Sequence, residues 1–195
     1  MKKALSIISL LAVIAVSLTV SVGASYLQKP ATAVEAVEAA TSLAAPAVSA
    51  AQKARFTTML NNNRLFGDDF ESNTDTVKAA MITLAGKAED DRLDCSLLTA
   101  FIANMYGRTV DLAAAGFEVT GNTVAIVPQG YARLTHRILT AVAVDGGFQT
   151  TSEMTVTPHD GAAYTQTVTA VFVENSGSAF GYNLVSATVE AGHTA

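Results

Sequence analysis

The chain has 195 residues, 50% of them hydrophobic and 15% charged, with a formal net charge of −5. That length suits one domain with residues to spare, and the acidic balance repels phosphate backbones and anionic lipid, which argues against nucleic acid as a partner. A single cysteine, Cys95, leaves no internal disulfide framework, so stability has to come from a packed core.

Met1-Lys2-Lys3 is followed by an uncharged run from Ala4 to Ala24 that closes on the small residues Val22-Gly23-Ala24. A basic start, an apolar stretch and small residues at both specificity positions of a signal-peptidase site read as an export signal, residues 1–24, cleaved after Ala24. The run approaches the ~20 residues that span a bilayer, so an uncleaved N-terminal anchor is the alternative, and membrane contact is expected through this segment alone. The Lys-Lys start and the Leu/Ile/Val core resemble bacterial signals. The expected location is the periplasm, the medium, or the outer face of the cytoplasmic membrane. Losing Lys2 and Lys3 would leave 10 basic against 17 acidic side chains, a net charge of −7. Residues 25–51 are low in complexity, with ten alanines between positions 31 and 51 and breaks at Pro30 and Pro46; they read as a flexible Ala-rich tether.

Residues 52–190 read as one α+β domain, and 191–195 as a disordered tail. A helix is expected from about Gln52 to Leu65, with Phe56, Met59, Leu60 and Asn63 on one side and Gly67 beyond its end. Ser72-x-x-Asp75 is a capping-box-like start to a second helix, whose apolar stripe is Val77, Ala80, Met81, Leu84, Ala85 and Ala88. A third runs from about Asp91 to Tyr106, with Leu93, Leu97, Leu98, Phe101, Ile102 and Met105 as its stripe and Gly107 as its stop.

After Gly107 the hydrophobic period changes from 3.6 to 2. Residues 117–120 and 123–127 flank Gly121-Asn122 as a tight hairpin. Four long strands follow at about 131–144, 148–157, 162–174 and 179–190, separated by Asp145-Gly146-Gly147, Pro158-His159-Asp160-Gly161 and Asn175-Ser176-Gly177-Ser178. Leu134, Ile138, Val142 and Val144 are expected on one face of the first, Phe148, Met154 and Val156 on one face of the second, and Tyr164, Val168, Ala170 and Phe172 on one face of the third. About three helices packed on a curved antiparallel meander is the expected architecture.

Helices first, then long hairpins, then a closing strand Gly181-Tyr182-Asn183-Leu184-Val185-Ser186 resembles the NTF2-like and cystatin-like α+β superfamily over about residues 52–190. The resemblance implies a cavity between sheet and helices. It implies no activity, because those folds host enzymes, binding modules, inhibitors and assembly domains alike.

Four side chains are candidates for a site. His136 shares a strand face with Leu134 and Ile138; it would be a pocket acid/base, or a structural histidine bonded to Thr140 or Ser152. Tyr131, Arg133 and Arg137 lie on the opposite face, as a carboxylate clamp or as a solvated surface with Glu153 across from Arg137. Cys95 reads first as a small buried hydrophobe. No metal site is expected, since three histidines without helical spacing or paired cysteines do not make one, and no cofactor motif is present. The leading expectation is a non-enzymatic module of the cell envelope that binds another envelope protein, a peptide or a small ligand. An NTF2-like pocket enzyme using His136 and a structural or surface-assembly subunit are the rivals. The composition does not specify an oligomeric state. Export and cleavage carry a direct check: Edman sequencing of the protein recovered outside the cytoplasm is expected to begin Ser25-Tyr26-Leu27, and an intact Met1 would establish the anchor instead.

Overall fold

Ser49 opens the first helix. In the computed structural model, which describes residues 47–126 and 131–190, its hydroxyl accepts from the Gln52 N–H at 3.2 Å while the Gln52 side chain accepts from the Ser49 N–H at 2.9 Å. This reciprocal cap starts α1 (Ala50–Asn62) ahead of the expected Gln52, inside the stretch read as tether. The signal segment, the tether up to residue 46, Val127 and the tail 191–195 lie outside the described residues. Helix α1 stops at Asn62 because Asn63 turns extended; it buries Phe56, Met59 and Leu60.

A 3-10 turn, Gly67–Glu71, leads to α2 (Asn73–Leu84), capped by Ser72, whose hydroxyl accepts from the Asp75 N–H at 3.1 Å. A short 3-10 turn at Ala85–Lys87 takes the place of the expected last helical turn. The third helix departs most from expectation. Asp90 and Asp91 adopt φ of 48° and 56°, and Glu89 and Arg92 exchange two backbone hydrogen bonds of 2.9 Å around them. That tight turn tolerates aspartate in the left-handed region and launches a strand, β1 (Arg92–Asp94). The helix, α3 (Cys95–Tyr106), begins only after Asp94, whose carboxylate caps it by accepting from the Leu97 N–H at 2.9 Å. Leu93 is therefore buried from a strand, Leu97 is exposed, and the inward stripe is Leu98, Ile102, Met105 and Tyr106.

Strand β1 pairs antiparallel with β3 (Thr123–Ala125), which also pairs with β2 (Val119–Thr120). The expected hairpin thus belongs to a small three-stranded sheet of its own. The larger sheet is an antiparallel meander of β4 (Arg133–Val144), β5 (Gly147–Thr157), β6 (Tyr164–Glu174) and β7 (Tyr182–Val189), in that order. The protein is α+β, with helices ahead of the main sheet. Helix α1 lies along β4, α3 against β7, and α2 on α3.

On β4 the inward side chains are Leu134, His136 and Ile138, but pairing then slips between Ile138 and Thr140, leaving Leu139 as an inserted residue. A bulge reverses the alternation beyond it. Ala141 and Ala143 turn to the core, and Val142 and Val144, expected inside, are 52% and 39% exposed. Tyr164, at the start of β6, is also exposed rather than buried.

The core centres on Phe56. Its ring centroid lies 4.4 Å from Phe172, 5.0 Å from Tyr182 and 5.5 Å from Phe148. Next to Tyr182, Asn183 joins β7 to α3 by donating to the carbonyls of Asn104 (2.9 Å) and Ala103 (3.3 Å) at the C-terminal end of the helix. Gly107, at φ 67°, makes room for that amide: a Cβ there would lie 2.8 Å from Asn183 Oδ1. Truncating Phe56→Ala is expected to cost about 3–5 kcal/mol, the range for a buried aromatic; a loss below about 1 kcal/mol in urea unfolding would show that α1 is not held by this ring.

Candidate functional site

A groove opens where the half-buried edge of α2 meets the small sheet. Lys78, Ile82 and Ala85 follow one another at helical spacing beside the buried Val77 and Ala80 stripe, so α2 offers a second, partly exposed face. Met81 joins them from the helix; Phe117, Ala125, Ile126 and Tyr131 form the rest of the wall. The cavity measures about 370 Å³. That volume lies within the range of small-molecule sites, which are commonly apolar with a few polar groups. Here the polar groups are the Lys78 ammonium and the Tyr131 hydroxyl. Lys78 sits 3.5 Å from Asp75 in an exposed pair, an attachment weak enough to yield to a better-placed anion.

His136 lies elsewhere, on the inner face of β4 at the C-terminal end of α1. Its Nδ1 is 3.1 Å from Ser152 Oγ, one of the two hydroxyl partners expected for it, and its backbone N–H donates to Asn61 Oδ1 at 2.7 Å. The imidazole is buried, and Nε2 has no hydrogen-bond partner among the described residues. Burial, reinforced by the nearby Arg64 guanidinium, pushes its pKa down to about 4. The ring is neutral at pH 7. Arg64 in turn closes the end of α1, donating to the carbonyls of Asn61 (2.9 Å) and Asn63 (2.7 Å). Asn63 is wholly buried and uses its amide to hold Leu65 and the Tyr106 hydroxyl. The Asn61-Asn62-Asn63 run therefore ends the helix and ties it to both β4 and α3, a role its sequence does not announce beyond the helix stop.

Tyr131, Arg133 and Arg137 do not share one concavity. Tyr131 lines the groove, whereas Arg133 lies exposed on the outer sheet face opposite Thr157. Arg137 meets its cross-strand neighbour Glu153 at 3.1 Å, with both side chains largely in solvent. Cys95 occupies the first turn of α3; partial burial and the Asp94 carboxylate raise its thiol pKa, which disfavours the thiolate a nucleophile needs. Among the described residues, no three His, Cys, Asp or Glu side chains gather into a metal-holding group, and no helix is long and apolar enough to cross a membrane. The groove itself escapes the sequence reading because its walls come from a helix edge and from a hairpin whose pairing with Arg92–Asp94 no local pattern announces; Ile82 and Phe117 are the residues whose partial exposure marks it.

His136 makes acid stability a test of the buried site. The unfolded chain takes up the histidine proton below about pH 6.5, the folded chain only below about 4, so protonation favours unfolding. Stability is lost as pH falls through that window, by roughly 3 kcal/mol in full. Urea unfolding at about pH 7 and about pH 4.5 is expected to show a smaller acid loss for His136→Gln than for the parent; parallel losses would mean that the ring titrates normally. No protein-family model matches the chain, and no match was found among curated proteins or solved structures.

Proposed function

We propose that the domain is a non-catalytic binding module of an exported bacterial protein of the cell envelope, and that the groove between α2 and β3 receives its ligand. The observation that carries this reading is the groove: apolar walls from Met81, Ile82, Phe117 and Ile126, with Lys78 and Tyr131 as its polar groups. An apolar segment ending in a hydrogen-bond acceptor, such as a carboxylate, fits that pattern. Among the described residues no histidine or carboxylate lines the groove beside Lys78 and Tyr131, which favours binding over proton-transfer catalysis. His136, the strongest acid/base candidate in the sequence, is committed to Ser152 and kept neutral by burial, which favours a structural role. Export rests on the Lys-Lys start and the apolar run to Ala24. The resemblance to NTF2-like and cystatin-like folds belongs to the same proposal and rests on helices preceding an antiparallel meander.

A fluorescent dansyl fatty acid is a suitable probe of the groove. Its emission is expected to rise and shift blue with the parent protein, to be lost with Ile82→Glu, and to persist with His136→Gln. Binding unaffected by Ile82→Glu would place the ligand elsewhere, and turnover of an ester probe that vanishes with His136→Gln would revive the enzyme.

A further inference from the structure

One face of the four-stranded sheet lies under the helices; among the described residues, nothing covers the other. Register orders the open face into rows. Thr140, Thr151, Thr169 and Thr188, one from each strand, stand side by side across the middle. Toward the Asp145-Gly146 turn lie Val142, Val144, Val173 and Val185, each at least 39% exposed. Toward the opposite end runs a charged row: Arg137 pairs with Glu153, Glu153 with Thr167, and the Glu190 N–H donates to the Thr167 carbonyl at 2.9 Å. That row is basic at the β4 margin and acidic at the β7 margin.

Size, composition and charge agree on what covers this face. Four strands about 4.8 Å apart, of 12, 11, 11 and 8 residues at about 3.4 Å per residue, give roughly 700 Å². Two such faces bury roughly 1,400 Å², the area of a standard stable interface. The middle is uncharged threonine and valine, as interface centres are. The charge pattern complements itself. A two-fold axis parallel to the strands sets β4 over β7 of a second copy, lays the threonine row on itself, brings Val142 and Val144 over the partner's Val185, and puts Arg137 opposite the partner's Glu190. Sheets packed face to face keep their strands within about 30° of each other, which this axis satisfies. A heterologous partner would have to supply that complement; a second copy carries it already.

We infer that the open sheet face is a self-association surface on which two copies of this chain pack sheet to sheet, with Arg137 of each copy against the partner's Glu190. The inference is independent of the groove. Sedimentation velocity on the full chain tests it, with circular dichroism to confirm each variant's fold. The parent is expected to show a concentration-dependent monomer–dimer equilibrium. Thr169→Arg, which buries a charge near the axis, is expected to weaken dimerisation by more than about tenfold. Arg137→Glu and Glu190→Arg are each expected to weaken it by about threefold to tenfold, and the double variant to recover most of the loss. Both charge reversals sit at exposed positions and keep the test alive if Thr169→Arg fails to fold. A strictly monomeric parent, association indifferent to Thr169→Arg, or a double variant no better than the singles would overturn the inference.

Discussion

The contact on which the rest of the domain depends is the ring of Phe56 against the sheet. A single helical side chain touches Phe148, Phe172 and Tyr182, one aromatic from each of β5, β6 and β7. It therefore sets the position of α1 relative to three strands at once. The neighbours in α1 follow from that placement. One turn earlier, Gln52 both completes the Ser49 cap and donates to the Tyr182 hydroxyl at 3.1 Å. One turn later, Met59 and Leu60 are fully buried, and Asn61 reaches the His136 backbone. The helix is gripped at its start and its end by side-chain hydrogen bonds and at its middle by an aromatic contact.

Polar side chains do the joining where regular structure leaves backbone groups open. Asn61 answers an N–H of β4, the first strand of the sheet, and so occupies part of an edge that would otherwise invite another strand. Asn183 answers carbonyls at the end of α3, and Asn63 stitches Leu65 to Tyr106. These amides are neutral, and so is His136 beneath the sheet. Neutral groups avoid the desolvation cost of a buried charge and keep the direction of hydrogen bonds. Arg64 is the exception: burial lowers its pKa, and its Nη1 donates to the Asn61 and Asn63 carbonyls at the helix end while Nε finds no partner among the described residues.

Much of this architecture is legible in the sequence because it rests on local chemistry. Ser72 and Gly107 mark helix ends, and the turns at Asp145-Gly146 and Asn175–Ser178 separate strands whose apolar residues alternate. What was not legible depends on partners distant in the chain. Arg92–Asp94 has the periodicity of a helix lead-in, and becomes a strand because Thr123–Ala125 pairs with it and Arg92 Nε bonds Thr123 Oγ1 at 2.7 Å. Val142 and Val144 share the period of Leu134 and Ile138 on paper, and an inserted residue between them breaks the phase. Of the candidate site, the Ser152 tie of His136 and the Glu153 partner of Arg137 follow from strand alternation and hairpin length. The groove does not, since it is assembled from α2, the loop at Phe117 and the third strand, and no periodicity within one segment encodes a space between three.

The insertion at Leu139 has a consequence for how this chain can change. It acts on β4 as a frame shift acts on a coding sequence: everything upstream is read in one phase and everything downstream in the other. Flattening the bulge with Leu139 retained would exchange the small Ala141 and Ala143 for Val142 and Val144 under the helices, overfilling a space shaped for two methyl groups and stripping the outer face of its valines. Deleting Leu139 would instead keep Thr140 opposite Thr151 and leave both faces as they are. Substitutions on either side can be made one at a time. The bulge cannot be lost while Leu139 remains, because absorbing that one residue sets the chemistry of both faces together.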